Sequence, residues 1–241
     1  MSKRPAASGE KLIFFTVFVT LVASTVWVIV SMILAPAETA EPHVRVKSDY
    51  VLMLLQCLLG VVAIWLPSWL ERRFRILIPS KMVVLYVLFL YGAIYLGEVR
   101  NFYYLIPHWD TVLHTFSGVM LGALGFSVVN LLNKTDRVPL SLSPAFVALF
   151  ALCFAMSVGV LWEVYEFCAD GLLGTNMQKF GPQDGAAFLG REALRDTMLD
   201  LIVDTVGAAV VSLVGYLSLK FKNGWLESLL LKNQKATDNL S

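Results

Sequence analysis

Residues 108–129, HWDTVLHTFSGVMLGALGFSVV, join a polar opening to an uninterrupted apolar run. The opening carries His108, Asp110 and His114, whereas residues 115–129 contain no charge. The whole chain is 57% hydrophobic and 15% charged, with a mean hydropathy of +0.69, against about 25% charged residues in soluble domains. This composition predicts an integral membrane protein in which such runs cross the bilayer as helices.

Six segments are long and apolar enough to cross a hydrocarbon core of about 30 Å. They lie at about residues 12–34, 50–66, 82–97, 110–132, 144–169 and 196–219. We therefore predict an all-α fold, a polytopic helical bundle built as a single membrane domain from residues 1–241. The first segment follows two basic residues as a signal peptide would, but its apolar core exceeds the roughly 7–15 residues of a signal, which favours an uncleaved helix.

The distribution of lysine and arginine predicts the orientation of the chain. With six spans, 13 of the 19 basic residues fall on the side of the two termini and 6 on the other. Because cytoplasmic loops carry the excess of positive charge, both termini are predicted in the cytoplasm, with 222–241 as a cytoplasmic tail. The loops at 35–49, 98–109 and 170–195 then face outward. The lipid bilayer is the expected partner, and the net charge of +1 gives no sign of nucleic-acid binding.

Ionisable residues concentrate at the outward ends of spans three to six, within residues 98–219. Side chains three or four residues apart share one face of a helix. Three sets have that spacing: Asp110 with His114; Glu163 with Glu166 and Asp170; Asp196 with Asp200 and Asp204. These stripes predict one outward-facing polar pocket. Because converging carboxylates repel one another, protonation, an arginine or a bound cation must offset that repulsion.

The residues at least one turn inside their spans are the main candidates for chemistry. The catalytic candidates are His114, Glu163, Glu166, Asp200 and Asp204. Histidine with carboxylates suits zinc, manganese or iron, and carboxylates alone suit magnesium or calcium. The candidate ligands of such a divalent metal are Asp110, His114, Glu163, Asp200 and Asp204. A metal-free acid–base cluster, with the histidine tuned by a carboxylate, is the alternative.

Several of the polar residues also fit purely structural roles. Asp110 and Asp196 suit helix N-caps or first-turn acids, which the helix dipole favours. Glu98 and Asp170 suit solvated helix ends, and His108 suits an interfacial position. Aromatic residues on the same side fit the interfacial belt of membrane proteins. They are Phe102, Tyr103, Tyr104, Trp109, Trp162, Tyr165 and Phe167.

The outward segment 170–195 has the length of a lid or a binding loop and is rich in glycine. Arg191 and Arg195 lie four residues apart in it. Together with Arg100 they could clamp the phosphate or carboxylate group of a lipid-like or anionic substrate. Pairing of these arginines with the acids, or with lipid phosphates, is the alternative.

Four segments resemble the YjdF-type family of uncharacterised bacterial inner-membrane proteins over residues 90–216: GEVRNFYY, WDTVLHTFSGVMLGALGF, GVLWEVYEFCAD and DTMLDLIVDTVGAAV. The layout is also similar to that of VanZ-like membrane proteins. Asp110 with His114, Glu163, and Asp200 or Asp204 stand where that family has comparable residues. VanZ-like chains carry a glutamine soon after the glutamate, however, and this chain has WEVYEF. Both resemblances imply a multi-pass membrane topology, and neither implies an established reaction.

Three functions fit these observations. The first is an inner-membrane enzyme, metal-assisted or not, that acts on a lipid-linked or envelope substrate. The second is a small transporter or ion-coupled permease with the carboxylates as a relay, ranked lower because the inner halves of spans three to six are nearly all apolar. The third is a non-catalytic membrane factor whose polar cluster holds the helices together.

Overall fold

The computed structural model describes residues 8–37, 47–133, 142–181, 187–225 and 229–233. Most of the predicted loops 35–49 and 133–143 lies outside these ranges, as do six of the basic residues counted for the orientation and two residues of the 170–195 segment. They are Lys3, Arg4, Arg45, Lys134, Arg137, Pro182, Gly185 and Lys235. The orientation of the chain therefore stays a prediction.

The described chain is built almost entirely of helices. They are α1 (Ser8–Leu34), α2 (Lys47–Ala63), α3 (Leu66–Phe74), α4 (Ser80–Leu90), a π-helix (Tyr91–Val99), α5 (Phe102–Leu105), α6 (Trp109–Asn133), α7 (Pro144–Leu173) and α8 (Arg195–Phe221). Two short strands, β1 (Ile76–Leu77) and β2 (Lys232–Asn233), pair antiparallel.

Six helical stretches of the described residues are long and apolar enough to cross a membrane. They are Gly9–Leu34, Tyr50–Phe74, Ser80–Val99, Trp109–Leu132, Pro144–Leu173 and Arg195–Phe221. Each contains the whole of one of the six apolar segments recognised in the sequence. The prediction of an all-α protein with six such helices is therefore confirmed.

The second stretch extends further than the sequence predicts, because most of the expected loop 67–81 is helical. Only two residues separate α2 from α3. Pro67 is the second residue of α3, where its fixed φ suits a helix and its missing N–H would have no intrahelical partner. Arg72 and Arg73 lie in the last turn of α3, where positive charge interacts favourably with the helix dipole.

The chain separates into two compact units, each described by itself. Unit 1 comprises Met1–Trp65, Val87–Asp110 and Glu163–Met198; unit 2 comprises Leu66–Tyr86, Thr111–Trp162 and Leu199–Ser241. In unit 1, α1 packs against α2, and Leu21, Val28 and Cys57 are fully buried. A Cβ at Gly60 would lie 2.5 Å from the side chain of Ile94. The missing side chain of Gly60 therefore lets the π-helix approach α2.

The C-terminal part of the third stretch is a π-helix, a conformation that is rare and frequently found at functional sites. The N–H of Arg100 donates to the carbonyl of Tyr95, five residues earlier, at 2.8 Å. The indole N–H of Trp109 donates to the carbonyl of Gly92 at 3.2 Å. Trp109, which the sequence assigns to an aromatic belt, thus joins the start of α6 to the π-helix within unit 1.

The core of unit 2 lies between α6, the first part of α7 and α8. Its buried side chains are Ala123, Phe126, Val129, Val147, Ala151 and Val211. Part of the predicted tail packs here, because Leu229 and Leu230 contact this core and Leu231 is only 4% exposed. The hydroxyl of Ser127 donates to the carbonyl of Leu229 at 3.1 Å. Residues 229–233 are therefore an integral part of unit 2.

Candidate functional site

Glycines bring the backbones of α6 and α8 into contact in unit 2. A Cβ at Gly207 would lie 2.5 Å from the carbonyl oxygen of Thr115, and a Cβ at Gly118 would overlap the carbonyl oxygen of Asp204. Gly122 continues this contact one turn further along α6. Small residues allow transmembrane helices to approach closely in this way. The contact places the acidic stripe of α8 beside the histidine of α6.

His114, Ser117, Asp200 and Asp204 form a polar cluster in unit 2, which we call the His114 centre. Nδ1 of His114 is 3.2 Å from Oδ2 of Asp204, and Nε2 is 3.8 Å from Oδ2 of Asp200. The hydroxyl of Ser117 donates to Oδ1 of Asp204 at 2.7 Å. His114, Asp200 and Asp204 are 8%, 3% and 4% exposed. Both ring nitrogens of a buried histidine therefore face carboxylates.

The composition of the His114 centre explains how buried acidic groups are accommodated there. A buried carboxylate is unfavourable unless it accepts hydrogen bonds or is paired with a cation. A neutral imidazole offers one N–H donor and one lone pair, and a protonated imidazole offers two donors. One ring can therefore satisfy one carboxylate through Nδ1, while Nε2 can exchange a proton or bind a metal ion.

The structure brings together three of the five catalytic candidates: His114, Asp200 and Asp204. Glu163 and Glu166 are also buried, at 5% and 8% exposure, and belong to unit 1. Two of the three acids in the predicted stripe of α7 are therefore buried. That they share one pocket with His114 stays a prediction.

Lys179, Asp110 and Asp196 form a second charged cluster, in unit 1, which we call the Lys179 centre. The Nζ of Lys179 forms an ion pair with Oδ2 of Asp110 and lies 3.5 Å from Oδ2 of Asp196. It also lies 5.2 Å from the centre of the Tyr103 ring, a cation–π distance. A lysine therefore lies beside these two acids, whereas the sequence predicts that protonation, an arginine or a bound cation offsets their repulsion.

The electrostatic influence of Lys179 reaches a neighbouring tyrosine in unit 1. Burial raises the pKa of Tyr104 above its ordinary value, and the ammonium group of Lys179 opposes that rise. A nearby cation favours the phenolate form, whereas loss of water disfavours it. The pKa of Tyr104 therefore depends on the charge of Lys179.

Asp170 organises the start of the 170–195 segment. Its Oδ1 accepts hydrogen bonds from the hydroxyl of Thr175 at 2.6 Å and the N–H of Met177 at 2.7 Å, and its Oδ2 accepts from the N–H of Gln178 at 3.0 Å. The expectation of a simply solvated helix end is therefore wrong for Asp170. The carboxylate instead fixes the turn after α7, because its oxygens satisfy backbone and side-chain donors of that turn.

The three arginines of the predicted anion clamp are exposed, as is His108. Arg100 follows the π-helix directly, Arg195 is the first residue of α8, and Arg191 lies just before α8. In unit 2 a shallow groove of about 380 Å³ runs along α6, lined by Thr111, Val112, Thr115, Phe116 and Val119. Because most of this lining is apolar, the groove is not the polar pocket that the sequence predicts.

Two residues of these centres were not among the sequence candidates. Ser117 follows His114 by three residues, so the same helical spacing that linked Asp110 to His114 could have found it. Lys179 lies in a loop, 69 residues from its partner Asp110. It has a positive φ of 45°, and no spacing rule predicts its position.

Six membrane-length apolar helices with buried ionisable groups define a polytopic integral membrane protein. The chain belongs to the family described as "Predicted membrane protein (DUF2238)", which matches residues 28–221. This membership is consistent with the YjdF-type resemblance and gives no support to the VanZ-like one.

A relative from Thermotoga maritima, named only "Uncharacterized protein", is 28% identical over 138 residues. That match covers 57% of this chain and 62% of the relative, so the chain spans less than two thirds of its length. No solved structure matches the chain. The comparisons therefore establish a membrane-protein family and leave its reaction to be inferred from the side chains.

Proposed function

We propose that this protein is an enzyme of the bacterial inner membrane that acts on a lipid-linked or envelope substrate with the help of a divalent metal ion. The observation that carries the proposal is the orientation of the His114 ring, with Nδ1 at Asp204 and Nε2 directed towards Asp200. A carboxylate on one ring nitrogen is the usual device that fixes the tautomer and direction of a metal-binding histidine. The inner-membrane location rests on the basic-residue distribution and the YjdF-type resemblance.

The donor atoms of the His114 centre fit a divalent ion. Bonds from zinc to nitrogen or oxygen are about 2.0–2.2 Å long, so two ligand atoms of one ion lie within about 4.4 Å of each other. Nε2 of His114 and Oδ2 of Asp200 are 3.8 Å apart, which satisfies this limit. Imidazole with carboxylate suits zinc, manganese or iron. A metal held there would supply Lewis-acid activation of water or of a substrate oxygen.

The chain's own residues have distinct parts in this proposal. His114 and Asp200 hold the ion, and Asp204 orients the ring. Asp110 and Glu163 remain candidate ligands because of their helical spacing, and Glu166 remains a candidate acid–base partner. Without a metal, Nε2 of His114 would serve as the general base. Arg100, Arg191 and Arg195 would bind the anionic group of the substrate.

Elemental analysis of the purified protein tests the metal. The wild type, loaded with zinc, manganese or iron and then washed, should retain close to one ion per chain. His114→Ala and Asp200→Asn should retain at least about tenfold less, because each removes a ligand. His108→Asn is the matched control, since His108 is exposed and has a positive φ of 61° that asparagine tolerates.

The outcomes of this experiment separate the proposal from its rivals. Absence of metal from the loaded wild type would contradict a metal-assisted enzyme. Equal retention by His114→Ala and the wild type would place the ion elsewhere. If the same substitutions lower the melting temperature strongly and the wild type retains no metal, the result favours the third function, a cluster that holds the helices together, over a metal-assisted enzyme.

An ion-coupled permease is the second candidate, and a buried hydroxyl in unit 2 favours it. Ser212 lies two turns beyond Asp204 on α8, is 5% exposed, and its Oγ has no hydrogen-bond partner among the described residues. A buried hydroxyl of this kind is usually satisfied by water. Water there would extend the polar region of α8 further into the membrane than its sequence suggests.

Flux measurements in liposomes test the permease. Reconstituted wild type should carry protons or metal ions down an imposed gradient, and Ser212→Val should slow that flux at least about tenfold if water at Ser212 is part of the path. Ser157→Val is the control, because Ser157 is exposed and, among the described residues, its hydroxyl bonds to the Cys153 carbonyl of its own helix. Flux at the rate of empty liposomes would exclude this second function.

A further inference from the structure

The carboxylate of Asp204 is held on both of its oxygens. Oδ2 lies 3.2 Å from Nδ1 of His114, and Oδ1 accepts from the hydroxyl of Ser117 at 2.7 Å. Ionised carboxylates only accept hydrogen bonds, so the ring nitrogen at Oδ2 has to be the donor. The orientation of His114 therefore depends on whatever keeps this carboxylate in place.

Ser117 ties that carboxylate to the backbone of the histidine itself. Its Oγ lies 2.8 Å from the carbonyl oxygen of His114 and 2.7 Å from Oδ1 of Asp204. A serine within a helix ordinarily bonds only to a carbonyl of the preceding turn, as Ser157 does with Cys153 at 2.8 Å. Both partners are acceptors and the hydroxyl has one proton, so that proton is shared between them. The shared bond links the histidine ring, through Asp204 and Ser117, back to the histidine backbone.

Gly159 of α7, also in unit 2, restricts the position of the Asp204 carboxylate from another side. A Cβ at this position would lie 2.9 Å from Oδ2 of Asp204, the oxygen that faces the histidine, and 3.6 Å from Cγ. Any side chain at Gly159 would therefore displace Oδ2 from Nδ1 of His114. Gly171, also in α7, has nothing within 4 Å of its Cβ position, so the restriction belongs to Gly159 and not to the helix in general.

We propose that Ser117 and Gly159 are positioning residues that hold the Asp204 carboxylate against Nδ1 of His114 and thereby make Nε2 the only ring nitrogen available to a metal ion or a proton. This inference rests on the proposed function, because it names the reacting atom of the same centre. It also assigns roles to two residues that carry no charge. The fixed Nδ1–H tautomer explains how a ring between two acids presents one defined lone pair.

Nitrogen NMR of the histidine ring tests the proposal without metal or substrate. The chain has three histidines, so His43→Asn with His108→Asn leaves His114 as the single labelled ring. In lipid nanodiscs, at a pH where the ring is neutral, the Nδ1–H tautomer should dominate. Ser117→Ala and Gly159→Ala should each lower the ratio of Nδ1–H to Nε2–H about tenfold or more, because each weakens a charge-assisted hydrogen bond.

Matched variants separate positioning from general packing. Ser157→Ala and Gly171→Ala make the same chemical changes in α7 without touching Asp204, and both should leave the tautomer ratio unchanged. Asp204→Asn should abolish the preference. If a variant fails to fold, the wild-type spectrum still tests the proposal. A dominant Nε2–H form of His114 in the wild type would overturn it. Wild-type ratios in Ser117→Ala and Gly159→Ala would overturn it too.

Metal binding gives a second readout of the positioning role. Ser117→Ala should weaken metal binding about tenfold, the usual effect of removing an orienting partner. The two tests can fail separately. A fixed Nδ1–H tautomer in a protein that retains no metal would contradict the metal-assisted enzyme and leave the positioning role of Ser117 and Gly159 intact.

Discussion

The Lys179 centre of unit 1 and the His114 centre of unit 2 contain the same arrangement of charged groups but differ in chemistry. Each places one basic side chain between two aspartates. The side chains of the Lys179 centre are 20–25% exposed, whereas those of His114 and its two aspartates are 10% exposed or less. The more deeply buried centre holds the group that can lose its charge near neutral pH.

The basic side chain of the Lys179 centre can only balance charge, whereas that of the His114 centre can also bind a metal ion. A lysine ammonium offers three donors and no lone pair, so it can neutralise Asp110 and Asp196 but cannot bind a metal. The imidazole of His114 can donate at one nitrogen and present a lone pair at the other. The sequence groups all these acids into one polar cluster; of the two centres, the His114 centre contains the basic side chain that can both donate a proton and offer a lone pair.

Loss of the lysine should have the largest effect on stability. Lys179→Met removes the ammonium group that lies beside both partly buried carboxylates, Asp110 and Asp196. Removal of one partner from a buried pair costs about 3–5 kcal/mol. Because this centre is partly exposed, we expect about 2–3 kcal/mol, measured as the free energy of unfolding in detergent.

Two further variants test whether that loss comes from unpaired charge. Asp110→Asn with Asp196→Asn in the Lys179→Met background should restore most of the stability. Lys222→Met, at an exposed lysine, should leave it unchanged. A loss in the triple variant as large as in Lys179→Met alone would show that packing of the lysine stem, not its charge, holds this region.

The His114 centre should respond to helix contact more than to net charge. Gly118→Ala sets a methyl group against the backbone carbonyl of Asp204, and overpacking of this kind costs about 1–3 kcal/mol. The added methyl group should move α6 away from α8 and so also lower metal retention, measured by elemental analysis of the loaded protein. Gly171→Ala, with open space around its Cβ, is the control. Metal retention equal to wild type in Gly118→Ala would show that the centre tolerates separation of α6 and α8.

The same comparison shows what the sequence could predict. Long uncharged runs predict six membrane helices, because the length of an apolar helix is set by the thickness of the bilayer. Helical spacing predicts the stripe that contains Asp200 and Asp204, because residues three or four apart share a face. The burial of His114 follows from its position one turn inside α6. These features depend on local geometry alone.

The contacts between elements could not be predicted in this way. Which oxygen of Asp204 meets which nitrogen of His114 depends on the rotation and separation of α6 and α8, and these are set by glycines distributed over both helices. The partner of Asp110 is a loop lysine whose position depends on the turn built around Asp170. The helical conformation of α3 could not be predicted, because its polar residues resemble those of a loop, although Pro67 suits a helix start.

The smallest expected effect is on the titration of Tyr104, and it tests whether the Lys179 centre acts through charge. The ammonium of Lys179 opposes the rise that burial causes in the pKa of Tyr104. Lys179→Met removes this positive charge and so makes the phenolate less favourable, which should raise the pKa further. Spectrophotometric titration, with Tyr104→Phe variants to subtract the other tyrosines, measures the change. Lys179→Arg keeps the charge and should leave the pKa nearly unchanged, whereas a rise as large as in Lys179→Met would mean that the substitution acts by altering burial.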